Sequence, residues 1–332
     1  SLLVALLTLW IVAKGVQAGI ERAVRWMMPG LAVMLLILVG YAFTSGGFDQ
    51  GFAFLFSFDT SKLTGEALLA ALGHAFFTLS LASGAILTYG SYIPDGQSIA
   101  RTTFMVAIAD TAVALLAGLA IFPIIFANGM DPTAGPGLIF MSLPLAFQQM
   151  PFGTLFGVLF FAMVSIAALT SAISMIEATV AYLNEKHGIS RVKAAMGAGA
   201  VLLVISLLAM LSFNLMAGWT PLGKNFFDWL DYLTSRWMMP LGGIFIVIFA
   251  GYALRSEIMR EELDLPPLGY ALWLFMVRYV CPVLITMVFL HALGWLGFDP
   301  LVRWYWIVGA VVVLTLLGEG LRPRVMPALA GR

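Results

Sequence analysis

An aspartate stands alone in an apolar run, Ala107-Ile-Ala-Asp110-Thr-Ala-Val-Ala114-Leu-Leu-Ala-Gly118. A carboxylate inside a hydrocarbon layer is costly unless a cation, a proton or a hydrogen-bond network answers it. No Lys or Arg falls in the same stretch, so two answers stand open, a bound metal ion or a proton carried on the carboxyl. In a second stretch, Ala167, Thr170, Ser171 and Ser174 recur at i, i+3, i+4 and i+7, one helix face. A backbone carbonyl with two hydroxyls is an oxygen-only ligand set, suited to a hard cation such as Na⁺. Small residues at this spacing equally serve close helix packing. The third stretch, from Ala75 to Tyr92, is apolar enough to cross a bilayer, yet its middle is Thr78, Ser80, Ala82, Ser83 and Gly84. Such residues at mid-depth suit helix packing, or a helix that breaks and offers freed backbone groups to an ion or ligand.

The remaining intramembrane ionisable groups have plainer readings. His74 has no second histidine at metal-ligand spacing and reads as a neutral histidine hydrogen-bonded inside a bundle. Glu177 reads as a buried hydrogen-bonding residue. No His-Glu-x-x-His, Gly-x-Ser-x-Gly or phosphate-binding loop is present, so no enzyme class is indicated.

These residues need a membrane to surround them, and the composition supplies one. The 332 residues are 61% hydrophobic and 10% charged, against roughly 25% charged in soluble domains. Zero net charge argues against a nucleic-acid partner. The single cysteine, Cys281, excludes an internal disulfide framework. A bilayer core of about 30 Å takes about 20 helical residues. Runs near that length fall at 19–43, 68–93, 103–127, 152–183, 194–217, 226–253, 268–294 and 303–318. A shorter one, 2–16, opens the chain. The expectation is an all-α polytopic membrane protein of about nine spans, with the short piece at 137–147 too brief to cross. The chain starts apolar, at Ser1 and without Met, and is expected to be a fragment whose first span is incomplete. Lys and Arg gather on one side, at 14–25, 101, 186–193, 255–260 and 322–332. The other side has Lys62, Lys224 and Arg303. That bias places the loops at 45–65 and 128–150 outside and the C-terminus in the cytoplasm.

Taken together, these stretches resemble the neurotransmitter:sodium symporter family, in its bacterial amino-acid transporter branch. Phe76-Phe-Thr-Leu-Ser-Leu81 with Thr88-Tyr-Gly-Ser-Tyr92 is similar to the family's unwound sixth helix. Ala134-Gly-Pro-Gly137 with Ser142-Leu-Pro144 is similar to its outer loop, and Leu169-Thr-Ser171 to its eighth helix. Gly19 and Pro29 match a fifth-helix motif associated with inward opening, and Arg278-Tyr-Val-Cys-Pro282 fits the eleventh. The family is a standing example of helices broken at the bilayer midplane. The resemblance implies an inverted-repeat, broken-helix transporter fold, N-terminally truncated. The end of the first repeat would be 1–44 and the second repeat 66–253, with an outer loop helix at 136–147. Two additional helices would follow at 266–318 and a cytoplasmic tail at 319–332.

The resemblance also implies roles. Thr78 and Asp110 match a first Na⁺ site; Ala167, Thr170 and Ser171 match a second. Phe77, Thr78, Ser80, Ser83, Ser171 and Met175 would contact an amino-acid substrate. Asp231 matches the outer gate, Tyr92 and Glu185 the inner gate, the last being Asp in most relatives. Na⁺ would be co-transported, with no organic cofactor. The partners would be the amino acid, the lipid bilayer and the first three helices of the same protein, in a prokaryotic inner membrane. Two departures carry expectations. Ala114 stands where relatives carry an acid or help bind chloride, so transport is expected to be chloride-independent with Asp110 supplying the charge. Ser83 stands where relatives often have a large apolar residue, which suggests a roomier pocket for bulky hydrophobic or aromatic amino acids. Two other readings stay open, a proton-coupled transporter and a membrane protein that binds amino acids without moving them.

Overall fold

The computed structural model describes residues 2–94, 96–130, 132, 137–294 and 309. Among them all regular structure is helical. α1 (Leu2–Ala13) leads through a π-turn, Val16–Glu21, into α2 (Arg22–Phe43). Then come α3 (Phe48–Phe56), α4 (Gly65–Thr78), α5 (Ala85–Gly90) and the long α6 (Ile99–Ala127). α7 (Leu143–Gln148), α8 (Gly153–His187) and α9 (Arg191–Leu211) follow. The last are α10 (Phe226–Leu233), α11 (Met239–Ile248), α12 (Ser256–Leu263), α13 (Pro267–Phe275) and α14 (Cys281–Ala292).

Joining α-helices across π-turns gives six described helices long and apolar enough to cross a membrane. They are Ala18–Phe43, Ile99–Ala127, Gly153–His187, Arg191–Leu211, Phe226–Ala253 and Pro267–Ala292. The other three expected spans account for the difference from nine. α1 has 12 residues, the run at 68–93 is interrupted between α4 and α5, and 303–318 lies, but for residue 309, outside the described residues, as do the tail 319–332 and most of the Ala134-Gly-Pro-Gly137 motif.

By contacts the chain forms two compact units. The first is Ser1–Asp59 with Ala107–Leu203, the second Thr60–Val106 with Val204–Arg332. The first unit is built on α8. Phe160 and Met163 of α8 pack with Leu35, Leu38 and Tyr41 of α2, Ala120 and Ile124 of α6, and Leu143 and Phe147 of α7. Tyr41 stacks on Phe156 at 3.7 Å between centroids, and its hydroxyl donates to the Pro151 carbonyl at 2.8 Å. The short 137–147 piece thus ends in the packed core of this unit. α3 gives the 45–65 segment a helix of its own, packed on α6. Gly47 and Gly51 rest on Pro123 and Ala127, and Leu55 reaches Gly118. α3 therefore runs back along the last ten residues of α6, about 14 Å of a membrane-crossing helix. Two glycines spaced one turn apart make that approach possible.

An ion pair closes the other end of the first unit. The Glu177 side chain is fully buried, and Arg191 Nη2 meets its Oε2 at 2.5 Å. The same nitrogen donates to the Val12 carbonyl at 3.3 Å, so α1, α8 and α9 share one guanidinium. Glu177 is buried and bonded as its sequence position suggested. Its partner, read from sequence as a loop charge, is the first residue of α9.

In the second unit two prolines set the helix geometry. Pro240 and Pro282 each follow a π-turn, Thr234–Met238 and Met276–Val280. Proline has no N–H and its ring crowds the carbonyl four residues back, so widening the preceding turn relieves the clash. The residue four back is an arginine both times. Arg236 donates to the Ala292 carbonyl at 2.8 Å, and Arg278 Nε to the Gly251 carbonyl at 2.7 Å. Gly251 lies in a third π-turn, Phe249–Ala253, and Tyr252 returns a bond from its hydroxyl to the Arg278 carbonyl at 3.1 Å.

Removing one member of a buried ion pair leaves a charge that nothing nearby neutralises, at a cost of about 3–5 kcal/mol. Arg191→Met is expected to lower the thermal unfolding midpoint in detergent sharply. The double variant Glu177→Leu/Arg191→Met is expected to recover much of the loss, and a double variant no better than the single would count against the pair.

Candidate functional site

The expected site residues fall in both units, and each group is built by its own elements. In the second unit the helix does break. α4 starts with Thr64 capping the Ala67 N–H and runs regularly to Thr78. Its ladder then loses register: Ser80 N–H donates to Phe77, three back, and Leu81 N–H to Phe76, five back. Ser80 takes φ 51° and Gly84 φ 82°, both left-handed, so the chain turns between the two helices. For Ser80 that conformation costs about 1–2 kcal/mol; for Gly84 it is nearly free.

Phe77 and Thr78 thus sit at the exposed end of α4, with half-buried Ser80 and Ser83 in the joint. The Ser83 hydroxyl donates to the Ser80 carbonyl at 3.0 Å and accepts from the Ala85 N–H at 3.4 Å. It caps the joint from both sides, which a large apolar residue could not do. Thr88 Oγ1 donates to the Gly84 carbonyl at 3.0 Å. The joint rests on α11, where Gly242 and Gly243 leave room. A Cβ at Gly242 would lie 3.3 Å from Ala82, and one at Gly243 would collide with the Phe76 ring. Sequence reading passed over this Gly-Gly pair, although two adjacent glycines in a helix signal a close neighbour.

In the first unit the α8 group is as spaced. Ala167, Thr170, Ser171 and Ser174 share a face, and Met175 follows Ser171 by one turn. Thr170 Oγ1 donates to the Ala167 carbonyl at 2.8 Å, and Ser174 Oγ to the Thr170 carbonyl at 3.0 Å. For the Thr170 oxygen and the Ala167 carbonyl to face one cation, that hydroxyl hydrogen must turn away. Thr170 is buried, while Ser171 and Met175 are exposed. Asp110 is half-buried on α6, a different helix of the same unit.

The gate candidates lie on separate elements. Asp231, on α10, is exposed and accepts from Ser235 Oγ at 2.9 Å. Tyr92 stands edge-on to Tyr89 just after α5, and Glu185 is exposed near the end of α8. Gly19 is buried in the first π-turn, where a Cβ would strike the Ile11 carbonyl. Pro29 is exposed inside α2, which continues through it unbroken. His74 is also exposed, so the expected place inside the bundle is not where it lies.

Among the described residues, six long apolar helices and a further run broken at a hydroxyl-bearing joint define an integral membrane protein of the broken-helix transporter class. A sequence model of the Sodium:neurotransmitter symporter family matches residues 1–314, and the chain belongs to that family of sodium-dependent symporters. An uncharacterized sodium-dependent transporter of Bacillus subtilis is 38% identical over 88% of this chain and 66% of its own length. Another, from Haemophilus influenzae, is 34% identical over 88% of this chain and 65% of its own. Among solved structures, the crystal structure of MhsT in complex with L-phenylalanine is similar, with 41% identity and a TM-score of 0.78. That likeness covers 87% of this chain and 66% of MhsT. The chain therefore spans just under two thirds of the length of these relatives.

Gly243→Ala would push the Phe76 ring out of its seat. Overpacking of this kind costs about 1–3 kcal/mol, and the unfolding midpoint is expected to fall accordingly. Ser80→Gly, which relieves the left-handed serine, is expected to leave the midpoint unchanged or raise it. A midpoint unmoved by Gly243→Ala would mean that the joint does not rest there.

Proposed function

We propose that this chain is the larger part of a sodium-coupled amino-acid symporter working by alternating access. The observation that carries the reading is the break between Thr78 and Ala85. A membrane helix gives up its hydrogen-bond ladder only where the freed groups find another partner. The groups at this break are backbone carbonyls and N–H groups and the hydroxyls of Thr78, Ser80 and Ser83; the oxygens suit Na⁺ and an ammonium group, and the hydroxyl and N–H hydrogens suit a carboxylate. Thr78 and Asp110 would hold one Na⁺, and the Ala167 carbonyl with Thr170 and Ser171 a second. Phe77, Thr78, Ser80, Ser83, Ser171 and Met175 would line the substrate. Asp231 would act at the outer gate, and Tyr92 and Glu185 at the inner one. Gly19 and Pro29 would loosen the second span during inward opening. Ion and substrate bound together from one side, and released together to the other, couple the sodium gradient to uphill transport without covalent chemistry.

The repeat organisation of 1–44 and 66–253, with two further helices at 266–318, is part of the proposal. So are the cytoplasmic C-terminus and the prokaryotic inner membrane. The missing partner segment would be the first three helices of the same protein. For the substrate we infer a bulky hydrophobic or aromatic amino acid. Supporting this are MhsT, crystallised with L-phenylalanine at 41% identity, and the small side chain of Ser83. Ala114 can neither carry a charge nor help bind chloride, so Asp110 would supply the negative charge, and transport would be chloride-independent.

The experiment is uptake of labelled amino acids into proteoliposomes by the full-length protein, driven by an inward Na⁺ gradient with and without chloride. Accumulation of aromatic amino acids is expected with Na⁺ alone, and chloride is expected to change nothing. Asp110→Ala is expected to lower the initial rate by at least about tenfold, the equivalent of about 1.4 kcal/mol. Uptake that follows a proton gradient and ignores Na⁺ would make Asp110 a proton carrier instead. Binding without accumulation would make the protein a receptor.

A further inference from the structure

Behind the joint, on the side of α4 away from Phe77, lies a cavity of about 200 Å³. α4 contributes Leu72, Ala75 and Phe76, the joint Leu79 and Leu81, and the opposite wall is Pro240, Cys281, Leu284, Ile285 and Val288. Positions 72, 75, 76 and 79 form one stripe at i, i+3, i+4 and i+7. Phe77 points about 150° away from that stripe at 100° per residue. The cavity follows from the break itself. An uninterrupted helix would bring residue 83 to this stripe as its next member, but the chain leaves the helical path at Leu79. Phe76 does not fill the gap either, because its ring is seated against Gly243. The lining offers no charged or amide side chain and one thiol. The pocket is partly open, its lining is apolar, and its volume has room for a hydrocarbon-sized guest.

We propose that this cavity is a binding site for a small uncharged apolar molecule, of about the bulk of benzene to a short alkylbenzene, and that its occupant controls the joint. Two of its walls, Leu79 and Leu81, are joint residues. A guest restores the dispersion contacts that an empty cavity denies them and thereby resists their displacement. The control of transport rests on the sodium-symporter reading; the site itself does not.

Cys281, on the cavity wall, gives the test. In the full-length protein, its modification by N-ethylmaleimide is followed with toluene or butylbenzene present. At ten times its dissociation constant a guest is expected to slow labelling about tenfold. In Ala75→Leu, which fills part of the volume, the hydrocarbons are expected to give no protection. Should Cys281 resist labelling, Leu284→Cys reports on the same wall. Absence of protection at both positions, or equal protection in Ala75→Leu, overturns the site. Protection by saturated lipid chains alone, in nanodiscs without added hydrocarbon, would assign the occupant to the bilayer and overturn the small-molecule proposal. In proteoliposomes the guest is expected to lower the maximal rate of Na⁺-driven uptake with the substrate KM unchanged. Protection without any effect on that rate overturns the control of transport and leaves the site. A protein that shows no Na⁺-driven uptake under any condition refutes the symporter reading, while the labelling result still decides the cavity.

Discussion

Inside a hydrocarbon layer a backbone amide or carbonyl has no water to fall back on, and most of what is distinctive in this chain answers to that constraint. Regular helix satisfies it without help, as in α8 with its 35 residues. Where the ladder fails, a side chain takes over. Ser83 and Thr88 bond the backbone of the joint. Arg278 takes the Gly251 carbonyl in one π-turn and Tyr252 the Arg278 carbonyl in another. Arg236 serves the last turn of α14 through Ala292. Departures from helix are therefore places where the sequence has placed hydroxyls and guanidiniums.

The same constraint separates two kinds of intramembrane polar group. Arg236, Arg278 and the Glu177–Arg191 pair are occupied with holding helices together, and their bonds lie within the chain. Asp231, Thr78 and the exposed hydroxyl of Ser171 stand on surfaces of their own units. The first kind is structural and the second holds residues proposed to meet a solute, although a composition-based reading gives both the same value.

The broken helix was legible because Thr78, Ser80, Ser83 and Gly84 violate the apolar pattern in the middle of an otherwise clean run. The face of α8 was legible from spacing alone. What the sequence hid was pairwise. Glu177 and Arg191 are separated by a helix end at Gly188, so no helical period links them. The seat of the joint on Gly242 and Gly243 joins segments more than 150 residues apart, and α3 was concealed by its glycines and its place in an apparent loop. One signal was present but unread: Arg236-x-x-x-Pro240 recurs as Arg278-x-x-x-Pro282, and the proline explains the π-turn each time.

The reach of Arg191 has a consequence for how the protein is made. Val12 and Arg191 are 179 residues apart in sequence. At about 5–20 residues per second, α1 waits roughly 10–35 s on the ribosome's clock before its carbonyl can receive that guanidinium. Glu177 leaves the ribosome before its counter-ion, and all of Thr60–Val106 is synthesised between the two pieces of the first unit. α1 therefore spends its first seconds in the membrane without the contact that later fastens it. Until then α1 must keep its place by the packing that forms earlier along the chain.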